Sequence, residues 1–293
     1  MRAYYYTPQE CGMSEFPSGL LQLSGFESTN NPDDADVFVV PPIMMFVERD
    51  NLLNLPYLKG NETRHVMFNV ADWIDVGLGI PAIMFRCDAT KRLMEIDPTA
   101  VPWPWPVEDL GDWIDKPFEY DVVFQGWVST PLTNVVCDSV VQTRGLRSYI
   151  KRHNFFYGYR DESEPETKEL RRTFLETLAA SRLSLVPRSI PAGIVRYRFY
   201  EAMSMGRIPV HFCDRCVLPF ADRIDYDVCS IHIPESESAH AGEIVADWLA
   251  KHDDDEIRER GAYGREMWKK WLDSNKWSEL FSIVVKERLN DHL

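Results

Sequence analysis

No stretch of this sequence approaches the roughly 18 consecutive apolar residues that a membrane-spanning helix needs. The opening Met1-Arg-Ala-Tyr-Tyr-Tyr has no apolar run of signal-peptide length. The expectation is a cytoplasmic chain without a membrane span. Basic residues are in deficit, 32 Lys and Arg against 46 Asp and Glu, for a net charge of −14. Such a chain is poorly suited to bulk binding of nucleic acid or anionic lipid, but a few arginines in a cleft can still hold a small anion. Cysteine is sparse and irregularly spaced (Cys11, Cys87, Cys137, Cys213, Cys216, Cys229), which reads as reduced, buried thiols rather than a disulfide framework. No G-x-G-x-x-G follows the first strand, which counts against a dinucleotide-dependent enzyme. Internal repeats and low-complexity tracts are also missing, and the seven histidines are scattered.

What is present suits a globular α/β protein. Hydrophobic residues make up 45% of the 293, enough to bury the core of one large domain or two smaller ones. Apolar runs predict strands at Ala3–Tyr6, Val37–Val40, His65–Val70, Tyr120–Phe124, Leu183–Val186 and Ile208–Phe212. They lack polar alternation, as strands covered on both faces do. Helices are predicted at Glu166–Ala180, Arg198–Met205, Ala241–Lys251, Asp254–Trp271 and Trp277–Leu289. Strand alternating with helix implies doubly wound parallel sheets. Five prolines crowd residues 98–118 and place the domain break there, giving residues 1–115 and 116–293. Two open α/β sheets would place ligands at the carboxyl ends of their strands.

Residues 181–235 carry the chemistry. A buried strand ends at Pro187, and a loop with Arg188 and Ser189 follows. Then comes a helix bearing Tyr197, Arg198 and Glu201, ended by Gly206, and a further strand. A helix amino end at the mouth of a sheet favours phosphate, and Arg188, Arg196 and Arg198 cluster around it with guanidinium forks suited to phosphate oxygens. Glu201, one turn on, could accept from two ribose hydroxyls. The competing reading is that these arginines pair with carboxylates on a solvated helix face.

The same segment resembles the donor-binding half of the exostosin-type glycosyltransferases. The resemblance rests on Val186-Pro-Arg188, Arg198-Phe-Tyr-Glu201-Ala202, Gly206-Arg-Ile-Pro-Val210, Asp214 with Leu218-Pro-Phe220, Ile224-Asp-Tyr226 and Pro234-Glu235. Ser189 stands where the family usually has glycine, and the loop before Arg198 is about two residues longer. Weaker similarity covers Ala35–Pro41, His65–Trp73, Pro98–Pro106 and Phe118–Gly126. The resemblance implies a GT-B fold: two facing Rossmann-like domains with C-terminal helices packing across them. It further implies an acceptor-side N-terminal domain, a nucleotide-sugar donor in the C-terminal one, inversion at the anomeric carbon and no cofactor or essential metal. It is similar to the short bacterial and algal-virus members, without a Golgi anchor, and implies a UDP-sugar donor. A xylosyltransferase acting on a glycan is the specific expectation. The alternative is a non-catalytic nucleotide- or sugar-binding protein that has kept the fold.

An inverting transfer needs a general base at the acceptor hydroxyl and positive charge on the departing diphosphate. Asp72, after a buried strand, is the expected base, with a helix N-cap as its other reading. Trp73 and Asp75 are expected on the acceptor side, and Asp75 and Glu235 are further carboxylates worth testing. Gly126 would let backbone approach the substrate, or is a plain turn glycine. Arg144 and Arg147 could reach the diphosphate, or pair at the surface. Cys213-x-x-Cys216 lacks the second pair of a zinc site. Asp34-Ala-Asp36 and Asp253-Asp-Asp255 read as strand-start and helix-start residues rather than manganese ligands. The tryptophans of Val101–Val107 could stack on a sugar or pin the linker.

Overall fold

A computed structural model describes residues 1–11, 22–40, 49–69, 76–77, 79–155, 164–189 and 194–290. In chain order its strands are β1 Arg2–Tyr5, β2 Glu27–Thr29, β3 Val37–Val39, β4 His65–Asn69, β5 Ile83–Arg86, β6 Ala100–Pro102, β7 Tyr120–Trp127, β8 Ser148–His153, β9 Ser181–Pro187, β10 Ile208–Phe212 and β11 Ile231–His232. The α-helices are α1 Arg49–Leu53, α2 Lys91–Ile96, α3 Pro131–Gln142, α4 Pro165–Ala179, α5 Tyr197–Ser204, α6 Tyr226–Cys229, α7 Ala241–Leu249, α8 Asp254–Met267 and α9 Trp277–Asn290. No helix among the described residues is long and apolar enough to cross a membrane.

The chain forms two compact units. The first comprises residues 1–105, 215–220 and 274–293, and the second comprises 106–214 and 221–273. The break thus falls ten residues before the expected 115/116. The reason is local bonding within the second unit: the Leu110 amide donates to Ser204 Oγ, which donates to the Glu108 carbonyl, and Arg265 pairs with Asp109 at 2.7 Å. The C-terminal helices are divided as well, α8 going with the second unit and α9 with the first.

In the first unit six parallel strands run in the order β2-β1-β3-β4-β5-β6. Successive side chains point to opposite faces. Met67 and Met84 join a buried cluster with Tyr4, Phe38, Leu52 and Leu58, while Phe68 and Phe85 meet Phe281 of α9 at centroid distances of 4.3 and 4.6 Å. Trp103 stacks on Phe281 at 4.2 Å and is 3% exposed, so this tryptophan is core and not a sugar platform.

The second unit has five parallel strands in the order β11-β10-β9-β7-β8. Val122, Phe124, Leu183, Leu185, Ile208 and Val210 are buried on the side of α3 and α7, and Val123 on the side of α4 and α5. Coverage of both faces is why these strands lack polar alternation. Gly206, at φ 67°, closes α5 in the left-handed conformation, as its sequence position predicts. Taken within the unit, the strand order is 2-1-3-4-5 reversed, so it turns back between β7 and β9. Such a switch point is where open α/β sheets bind ligands.

Candidate functional site

The carboxyl ends of β7 and β9 bring Gly126, Arg188 and Ser189, with Arg196 and Arg198, to that switch point. Arg188 follows β9; its Nε donates to Glu235 Oε2 at 2.8 Å. Glu235 is oriented in turn by Asp214, which accepts the Glu235 amide at 3.1 Å and lies 3.1 Å from His232 Nε2. The carboxylate pairing weighed from sequence therefore exists for Arg188. It fixes one edge of a half-buried guanidinium rather than dispersing it over the surface. Ser189 closes the loop by donating its amide to the Ile194 carbonyl at 3.3 Å.

Arg198 is 4% exposed. Its Cζ lies 5.3 Å from the Phe124 ring centroid, 5.5 Å from that of Phe174 and 5.7 Å from that of the half-buried Tyr197. Its guanidinium rests directly on Gly126, where a Cβ would come within 2.0 Å of Nη2. Gly126 is thus no plain turn residue: it sits inside β7 and makes room for Arg198.

Arg196 ties the two strand ends together. Its Nη1 donates to the Trp127 carbonyl at 3.3 Å and its Nη2 to the Arg188 carbonyl at 3.4 Å and to Ser129 Oγ. Ser129 precedes Thr130, the N-cap of α3, whose side chain accepts from the Thr133 amide. Burial, and then the Arg198 charge, push the Arg196 guanidinium down to about 9.

Glu201 is placed differently from the sequence reading. It is 3% exposed, and its Oε1 is ion-paired with Arg171 of α4. Its other carboxylate oxygen, Oε2, is buried without a hydrogen bond. Nothing local announces the ion pair, because Arg171 arrives from another helix. Arg144 is exposed in the turn before β8. The parallel register pairs Val122 with Ser148, so Arg144 lies at the amino edge of the sheet, away from Arg188. Arg147 pairs at that edge with Asp121 at 2.8 Å. Asp72, Trp73 and Asp75 lie outside the described residues.

The metal-like motifs are structural. Asp36 accepts the Arg2 amide at 2.6 Å, and Asp253 caps α8 by accepting the Glu256 amide at 2.9 Å. Cys213 and Cys216 form a disulfide, whereas Cys11, Cys87, Cys137 and Cys229 are reduced and buried. The expectation of reduced thiols throughout is corrected at this pair, which its short spacing allows to close. No group of three or more His, Cys, Asp or Glu among the described residues could hold a metal ion.

Sequence reasoning did not pick out Ser129, Trp127 or Arg171. Thr130-Pro131, an N-cap followed by a first-turn proline, is the signal that would have located the start of α3.

Residues 122–247 match the exostosin GT47 domain. A glycosyltransferase from Rickettsia africae ESF-5 superposes with a TM-score of 0.51 at 9% identity, covering 98% of each chain. Anabaena Alr3699/HepE, solved in complex with UDP and glucose, gives 0.49 at 10% identity, covering 99% of this chain and 98% of that one. The Rickettsia likeness is one of fold: two parallel-sheet α/β units, the GT-B architecture. No curated protein matches the chain.

Proposed function

We propose, from the premise that this chain carries an exostosin GT47 domain over residues 122–247, that it is an inverting glycosyltransferase moving a sugar from a UDP-sugar, with UDP-xylose the first to test, onto a glycan hydroxyl. The domain makes the chain a glycosyltransferase. The observation carrying the donor reading is that Arg188, Arg196 and the amino end of α3 meet at the β7–β9 switch point inside that domain. Positive charge gathered there suits the departing diphosphate.

In the proposed step the acceptor oxygen attacks the anomeric carbon in line with the bond to UDP. That bond breaks, its electron pair leaves on the β-phosphate, and the acceptor proton passes to a carboxylate. Asp72 is assigned as that base from its position after β4, with Trp73 and Asp75 on the acceptor side. Arginines and helix N–H groups supply the leaving-group charge, so the reaction as proposed uses no metal.

The test is UDP release from a panel of UDP-sugars, with and without acceptor saccharides, followed by NMR of the product anomer. Acceptor-stimulated release with inversion supports the reading. UDP binding without turnover of any donor supports the non-catalytic alternative. Asp72→Asn should abolish transfer and leave UDP affinity unchanged, and near-normal turnover in that variant would remove Asp72 from the role.

A further inference from the structure

Arg196 is 8% exposed, yet no carboxylate bonds to it among the described residues. Its acceptors are two main-chain carbonyls and one hydroxyl, and its Nε is buried without a hydrogen bond. A buried cation without a counter-charge is costly. Two neighbours make it costlier: the Arg198 guanidinium, and the amino end of α3, a full 12-residue helix whose dipole repels a cation there. Arg207 in the same unit makes a useful contrast. It is buried too, but its hydrogen bonds go to four main-chain carbonyls, those of Ile114, Ala179, Met205 and Gly206, around the closed end of α5, and its Nε is satisfied. Arg196 instead spans the switch point, holding the ends of β7 and β9 at once.

We propose that Arg196, together with Ser129 and the amino end of α3, receives the distal phosphate of the donor's diphosphate, exchanging its neutral acceptors for phosphate oxygens. The inference rests on the donor reading above and adds to it the residue that distinguishes a diphosphate from a monophosphate. One anion at this point answers three unfavourable features together: the buried charge, the like-charged neighbour and the helix end.

The experiment is calorimetric titration of the full chain with uridine, UMP and UDP, for wild type, Arg196→Gln and Arg196→Lys, with folding of each variant checked by circular dichroism. Arg196→Gln should lose roughly 10- to 100-fold in UDP affinity while uridine and UMP affinities stay within about threefold, because one charge-assisted fork is lost. Arg196→Lys keeps the charge without the fork, and its UDP-to-UMP affinity ratio should fall at least about threefold. A wild-type ratio in whichever variant folds overturns the proposal. So does a parallel loss for all three ligands, the mark of a residue that only ties the strand ends together. Absence of UDP binding by the wild-type chain overturns the donor reading and this inference with it.

Discussion

A Cβ built on Gly126 would lie 2.0 Å from Arg198 Nη2 and 2.5 Å from its Cζ, far inside any real contact. Gly126→Ala should therefore displace Arg198 and lower UDP affinity about tenfold or more, with the fold retained. Titration calorimetry checks this, and wild-type affinity would refute it. A second residue-scale prediction concerns acid. His211 is 7% exposed; burial, and then the neighbouring His232, push its pKa down to about 3. The unfolded chain takes up the same proton near pH 6.5. Between those values the unfolded state binds more protons, so stability falls as pH drops from about 6.5 toward 3. At pH 5 the loss from this group is about 2 kcal/mol. Urea unfolding at pH 7 and 5 should show the decline, and His211→Gln should flatten it; an unaltered slope in that variant would contradict the assignment. At this scale the sequence was legible where the reason is local, as with the end of α5 at Gly206. It was not legible at Glu201, whose environment depends on Arg171, thirty residues earlier in the chain and on a different helix.

Among elements, α9 shows how far apart contributing segments lie. Phe281 is fully buried against Phe68, Phe85 and Trp103, so the first unit's core is completed by the last helix of the chain. Phe281→Ala should cost about 3–5 kcal/mol through the lost aromatic and its cavity, measured as a fall in thermal midpoint; a change under about 1 kcal/mol would show the helix to be dispensable. The periodic helices α4, α5, α7, α8 and α9 were all predicted within a few residues. The misses have physical causes. α3 is Val-rich, and valine favours strands when propensity alone is weighed; its N-cap and the packing of Val136 and Val140 decide for helix. The strands β2, β6 and β11 span only two or three residues, too short for a periodic signal, and exist through pairing with neighbours. β8 carries Lys151, Arg152 and His153, a polar run that reads as loop until its register with β7 is known.

For the molecule as a whole, two compact units imply that heating need not give one transition. If the donor site lies in the second unit, UDP should stabilise that unit's transition by about 2.7 kcal/mol at 100 times its Kd. Scanning calorimetry with and without UDP resolves this. A shift confined to the first unit's transition, assigned with Phe281→Ala, would contradict the donor placement. The sequence by itself determined the α/β class, the first break between units to within about ten residues and the family resemblance of residues 181–235, but not the return of residues 215–220 and 274–293 to the first unit. The features it determined depend on short-range periodicity, caps and motifs that any folded form must keep. Only the tertiary structure decided which side chains share a site. It set Arg196 between β7 and β9, laid Arg198 on Gly126, engaged Glu201 with Arg171 and sent Arg144 to the opposite edge. Strand order is the reason: parallel strands distant in sequence are made adjacent by crossover helices, and neither charge nor spacing along the chain specifies which strand ends will meet.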